Sequence, residues 1–179
     1  MTLRWRISGN SRPSDACLFV NGEIMAKMSA GLLMYRKSQG RVEVFLVHPG
    51  GPFWAKKDSG AWSIPKGEHQ PDEEPLAAAR REFREETGIE LKGSLRRLKP
   101  IKQAGGKVVQ AWAFEGDADP STIRSNTFVM KWPPGSGHDK TFPEVDRAAW
   151  FEMDEAKTKI LKGQVALLNE LQAALENGL

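Results

Sequence analysis

From Lys27 onward the apolar positions fall into short blocks separated by turn residues. Residues 30–35 (AGLLMY) and 42–47 (VEVFLV) have strand length and strand composition, and the polar turn Lys37-Ser38-Gln39-Gly40 lies between them. A Gly- and Pro-rich loop is expected over residues 48–60, then a short strand over 61–64 leading into Pro65-Lys66-Gly67. A helix is predicted to begin near Glu74 or Pro75, because a proline costs little in a first turn whose N–H groups lack intrahelical partners. Gly88 is a suitable residue to end it. Leu76, Ala79 and Phe83 form its apolar side.

Farther along, residues 95–101 and 107–114 predict a strand pair around Gly105-Gly106, and residues 127–132 predict another strand. Residues 133–143 read as a loop and 148–151 as a strand. Ile160, Leu161, Val165, Leu168, Leu171 and Leu175 mark one closing amphipathic helix. Strands flanking one helix, with another helix at the end, imply an α/β chain with a mixed sheet covered on both faces. Residues 26–179 read as a single domain. Residues 1–25 form an irregular N-terminal extension: an arm, an extra edge strand over 17–20, or an upstream extension of the reading frame.

Composition narrows the function classes. At 179 residues the chain is large enough to bury about two thirds of its unfolded surface. The formal charge of +3 suits polyanionic small molecules, but no dense Lys/Arg stripe points to a stable nucleic-acid complex. Cys17 is the only cysteine, so no intramolecular disulfide can form, and a reducing, cytoplasmic setting is expected. No apolar run has the length to span a membrane. Oligomeric state is left open by the sequence.

The chemistry lies in residues 67–89, GEHQPDEEPLAAARREFREETGI. Glu82, Glu85 and Glu86 stand at i, i+3 and i+4, on an arc of about 100° of one helix face. Like charges at this spacing destabilise a helix by about 0.2–0.5 kcal/mol per pair, so the cluster calls for a neutralising partner. A hard divalent cation is such a partner, and oxygen ligands favour Mg²⁺, with Mn²⁺ as the alternative.

Gly67, five residues, Glu73, seven residues, Arg81-Glu82-Phe83, one residue, Glu85-Glu86, one residue, Gly88-Ile89: this spacing resembles the signature of the Nudix hydrolases at every defined position. The resemblance implies an α/β/α sandwich and a hydrolase that cleaves a diphosphate linkage in a small-molecule nucleotide. It implies Glu82, Glu85 and Glu86 as metal ligands, with the Gly67 carbonyl often adding an oxygen. It also implies Arg81 as the residue orienting the carboxylates, with Glu73 in the same network. Glu82, Glu85 and the later-loop Glu144 are the candidates for general base, in that order.

Lys66 is read either as a phosphate contact or as a side chain lying beside Pro65 with its charged end in water. Trp54 and Trp132 are candidate base platforms, each equally readable as packing, as is Trp62; Trp112 and Trp150 read as packing residues. His48, His69 and His138 lack metal-ligand spacing and read as solvated or hydrogen-bonded. The lead-in Trp62-Ser63-Ile64-Pro65-Lys66-Gly67-Glu68 is similar to that of diadenosine polyphosphate hydrolases. It raises dinucleoside polyphosphates in the ranking; the leading substrates are a dinucleoside polyphosphate or a modified nucleoside triphosphate, and ADP-ribose or sugar nucleotides form a second enzyme reading. A catalytically weak nucleotide-binding module is the reading from a different class.

Overall fold

A computed structural model describes residues 27–177 and, as backbone only, the short strands β1 (Phe19–Val20) and β2 (Glu23–Ile24). The remaining strands are β3 (Met28–Ser38), β4 (Arg41–Pro49), β5 (Lys66–Glu68), β6 (Arg96–Arg97), β7 (Ile101–Lys102), β8 (Val108–Glu115), β9 (Thr127–Lys131), β10 (Asp139–Pro143) and β11 (Val145–Glu152). The helices are α1 (Pro75–Thr87), α2 (Met153–Lys159) and α3 (Val165–Glu176). No helix among the described residues is long and apolar enough to cross a membrane.

The central sheet runs β11-β4-β3-β8-β6. Its β3–β8 pair is parallel and the other pairs are antiparallel, so the sheet is mixed as expected. Side chains alternate across it. Ala30, Leu32 and Met34 of β3, Phe45 and Val47 of β4, and Trp112 and Phe114 of β8 pack with Ala78, Ala79 and Phe83 of α1. On the opposite face Leu33, Tyr35, Val44, Leu46, Ala111 and Ala113 pack with Leu167, Leu168 and Leu171 of α3. The three layers therefore match the predicted sandwich.

The turn joining β3 to β4 places Gln39 and Gly40 at φ 50° and 78°, the left-handed pair that a two-residue hairpin needs. The two strands then pair only over Tyr35–Ser38 and Arg41–Val44 before they part. The segment entering the motif fills the fork. Val47 bonds Ser63 in both directions, Leu32 N–H donates to the Pro65 carbonyl at 3.0 Å, and β5 pairs with Ser29, Ala30 and Gly31. Gly31 permits this approach, since a Cβ there would lie 2.5 Å from the Lys66 Cβ and 2.6 Å from the Pro65 oxygen.

Several predicted boundaries are corrected. The strand expected over residues 61–64 is reduced to bridges at Trp62 and Ser63, and the ladder instead forms at Lys66–Glu68. Residues 139–143 are not loop but β10, paired antiparallel with β9 in a two-stranded sheet of its own. The single closing helix is two, because α2 precedes α3 and buries Ala156. Most of the N-terminal extension, including Cys17, lies outside the described residues. Its Phe19–Val20 pairs with Glu23–Ile24 rather than with an edge of the central sheet.

Candidate active site

Helix α1 carries the site and is capped at both ends as the sequence predicts. The Glu74 side chain accepts from the Ala77 N–H at 2.7 Å, and Gly88 closes the helix at φ 73°. With Ala78, Ala79 and Phe83 fixed against the sheet, Glu82, Glu85 and Glu86 come to the margin of the helix beside β5 and the 125–126 segment.

Gly67 lies directly beneath Glu82. A Cβ at this position would meet the Glu82 Cδ and Oε2 at 2.0 Å, so the carboxylate occupies the space a side chain would take. Arg81 gathers the acids. Its Nε and Nη2 donate to the two oxygens of Glu73 at 3.0 and 3.2 Å, and its Nη1 donates to Glu82 Oε1 at 2.6 Å and Glu85 Oε2 at 3.2 Å. This fork geometry suits a guanidinium and not an ammonium. Hydrogen bonding to Arg81 pulls the Glu73 carboxyl below its usual range, and the same partners push Arg81 higher.

Glu86 turns toward β5, where its Oε2 accepts from the Lys66 N–H at 3.0 Å. Burial pushes its carboxyl up to about 8, the Lys66 charge and amide oppose that rise, and Glu82 and Glu144 reinforce it. Burial pushes the Lys66 ammonium down, and Glu86 counteracts it. Glu82 is also raised, chiefly by burial, against the pull of Arg81.

Glu144 joins this group from 58 residues beyond Glu86 in sequence. Burial and the charge of Glu85 raise its carboxyl. Its backbone is held from two sides: its N–H donates to the Asn126 carbonyl at 2.8 Å, and its carbonyl accepts from the Gly50 N–H at 2.8 Å. Asn126 N–H donates in turn to the Glu85 carbonyl at 2.9 Å. Among the described residues no cation forms an ion pair with the Glu144 carboxylate.

The donor set fits a hard divalent cation: it is all oxygen, and Glu82, Glu86 and Glu144 resist bare ionisation in a way that added positive charge would relieve. No group of three or more acidic, His or Cys side chains among the described residues forms a ready-made metal cage. Glu82 and Glu85 point oxygens at Arg81, and Glu86 points one at the Lys66 amide. Surface hollows of about 480 and 530 Å³ lie elsewhere, at the other end of β3 and β8, lined by residues such as Arg36 and Asp117, or Tyr35 and Arg96.

The aromatic candidates divide. Trp62 is core: it is buried, and its Nε1 donates to Asp58. Trp112 is buried, and the part-buried Trp150 donates to the Ala118 carbonyl. Trp54 packs partly against the α3-side core, with the Lys57 ammonium 4.5 Å from its ring centre. Trp132 meets Phe53 edge to face at 5.4 Å, a partner the sequence reading missed because 79 residues separate the two. His48 is fully buried and hydrogen-bonded at both ring nitrogens, to Asp146 and to the Lys57 carbonyl, each at 2.8 Å.

A NUDIX domain family model matches residues 25–171, and the chain belongs to the Nudix family. No curated protein matches the sequence. Among solved structures, the Caenorhabditis elegans Ap4A hydrolase in a binary complex is similar at 25% identity and TM-score 0.60, covering 85% of this chain and 99% of that one. The NUDIX domain of Shewanella oneidensis NrtR, complexed with ADP ribose, shares the fold at 14% identity and TM-score 0.61, covering 93% and 94%. The Mycobacterium smegmatis Nudix hydrolase RenU does so at 19% identity and TM-score 0.52, covering 86% and 88%.

Proposed function

We propose that this chain is a divalent-metal-dependent hydrolase that cleaves a diphosphate linkage in a nucleotide, with dinucleoside polyphosphates ranked first and modified nucleoside triphosphates second. The observation that carries this reading is the gathering of Glu82, Glu85, Glu86 and Glu144 around one margin of the Nudix helix, with Gly67 cleared for Glu82. The likeness to Ap4A hydrolase and the lead-in over residues 62–68 support the substrate ranking.

In this reading Glu82, Glu85, Glu86 and the Gly67 carbonyl would hold Mg²⁺ or Mn²⁺, and the ion would supply positive charge to polarise the diphosphate and offset the charge on the leaving phosphate. Arg81 does not touch substrate: it fixes Glu73, Glu82 and Glu85 in one arrangement. Lys66 presents a cation to the phosphates from the strand side. Water attacks phosphorus, the bridging P–O bond breaks, and the leaving phosphate takes the electron pair. We assign the water's proton to a carboxylate oxygen of Glu144, since this acid alone in the group lacks a cationic partner among the described residues.

Glu86→Gln is the test. Turnover at saturating Mg²⁺ is expected to fall by about tenfold or more, the scale for a disturbed metal site. Near-normal turnover removes Glu86 from the ligand set. Tight nucleotide binding by wild-type protein without turnover selects the binding-module reading instead.

A further inference from the structure

Strand β11 carries one residue more than the strand it pairs with. Arg147 stands opposite His48 and Val145 opposite Pro49, so Asp146 is the extra residue of a β-bulge. The bulge resets the alternation of side chains. Phe151 and Ala149 face the α3-side core, and Trp150 and Ala148 face the α1-side core. Strict alternation would carry Arg147 and then Val145 to the α3 side. Val145 is instead buried among the α1-side residues, and its N–H donates to the Ser125 Oγ at 2.9 Å. A register slip of one residue reverses the side chains beyond it, and the residue beyond Val145 is Glu144.

A buried ring holds the bulge in place. The His48 Nδ1 lies 2.8 Å from the Asp146 Oδ1 and its Nε2 lies 2.8 Å from the Lys57 carbonyl oxygen, while the ring meets Trp62 edge to face at 5.2 Å. Arg147, the residue after the bulge, donates to the same Lys57 carbonyl at 3.4 Å. His48 therefore ties the bulge to the loop that follows β4. That loop begins at Gly50, whose N–H donates to the Glu144 carbonyl at 2.8 Å. The approach is close: a Cβ at Gly50 would lie 2.0 Å from the Pro143 oxygen. Glu144 is thus gripped between Gly50, on the His48-anchored loop, and Asn126, which also bonds Glu85.

We propose that Asp146 and His48 are positioning residues, which through the bulge fix the register that delivers Glu144 to the carboxylates of α1. The inference rests on the hydrolase reading, and within it on Glu144 as the acceptor of the water's proton. Both residues act through the backbone and the loop. The other acids have supports of their own: Arg81 holds Glu73, Glu82 and Glu85, and the Lys66 amide holds Glu86. Loss of the Asp146–His48 contact should therefore misplace the proton acceptor and leave the ligand set intact. Its effect falls on kcat and spares KM, since a small displacement of an acid or base lowers the rate of the chemical step.

The test uses the full chain with Mg²⁺ and diadenosine tetraphosphate, reading kcat, KM and amide hydrogen exchange. Asp146→Ala should lower kcat about tenfold to a hundredfold with KM within about twofold. Exchange should quicken at the Gly50 and Glu144 amides, whereas the Leu32 and Leu98 amides, bonded to Pro65 and Ala111, stay protected. Asp146→Asn keeps an oxygen and a nitrogen for His48 and should restore both kcat and protection. In a Glu144→Gln background Asp146→Ala should lower kcat no further, whereas a merely structural defect would lower it equally in both backgrounds. Asp146→Ser gives the same readout should the alanine variant not fold. Unchanged kcat, unchanged exchange at Gly50 and Glu144, equal loss in the Glu144→Gln background, or no rescue by asparagine overturns the proposal. Wild-type turnover in Glu144→Gln protein overturns it too, and leaves the metal-dependent hydrolase reading standing. Quickened exchange in Asp146→Ala protein, with no turnover by the wild type, supports the lock and defeats the hydrolase reading alone.

Discussion

Replacing Gly67 by alanine tests how far the motif glycine and the first motif glutamate depend on one another. The backbone at Gly67 is not in the left-handed region, so alanine is conformationally allowed and would by itself stabilise the fold by about 0.4–1 kcal/mol through the unfolded chain. The obstacle is the Glu82 carboxylate, which sits 2.0 Å from the added Cβ. Because the clash falls on the end of a flexible side chain, Glu82 should swing away and lose its 2.6 Å bond to Arg81. That loss and the local overpacking together cost about 1–3 kcal/mol, partly offset by the backbone gain. In a Glu82→Ala background the same Gly67→Ala change should be neutral or stabilising. A double-mutant cycle by urea unfolding should therefore show a coupling of about 1–3 kcal/mol, and Gly67→Ala turnover should fall about tenfold to a hundredfold. Additive stabilities, or full turnover in folded Gly67→Ala protein, would refute the seating of Glu82 over Gly67.

Other consequences are equally direct. Arg81→Lys keeps the charge but loses the fork that holds Glu73, Glu82 and Glu85, so kcat should drop about tenfold or more while unfolding free energy changes by less than about 1 kcal/mol. Thermal melts and steady-state kinetics on the same sample check both halves. His48→Ala removes a fully buried ring together with its hydrogen bonds to Asp146 and the Lys57 carbonyl, so urea unfolding should show a loss of about 2–4 kcal/mol. A change below about 1 kcal/mol contradicts that contact. Truncation of residues 1–24 should leave turnover intact, because β1 and β2 pair with each other and with no strand of the central sheet among the described residues. Loss of activity in a folded truncation would assign the arm a part in the site.

The features legible in the sequence are those that local chemistry determines. Glu74, Pro75 and Gly88 mark the ends of α1 through capping and backbone preference, and the Gln39-Gly40 turn marks the β3–β4 hairpin. The carboxylate arc follows from helical spacing alone. Features decided by distant pairing are less visible. Lys66–Glu68 becomes a strand only because β3 and β4 part and leave backbone groups for it to satisfy. Residues 139–143 look like loop beside the glycines and prolines of 133–137, yet β9 supplies them with a partner. Helix α2 buries only Ala156, too narrow an apolar stripe to show as periodicity. The nearness of Glu144 to Glu85, and of Phe53 to Trp132, depends on how the 125–126 segment and the 50–54 turn cross, and no local pattern encodes it.

The central claim is tested most directly by measuring hydrolysis, with and without Mg²⁺, of diadenosine tetraphosphate, 8-oxo-dGTP, ordinary nucleoside triphosphates and ADP-ribose, with the products identified. The account predicts Mg²⁺-dependent cleavage at a diphosphate linkage, with diadenosine tetraphosphate cleaved most efficiently and activity lost on chelation. Cleavage that persists undiminished in chelator, or no cleavage of any member by folded protein, would contradict it.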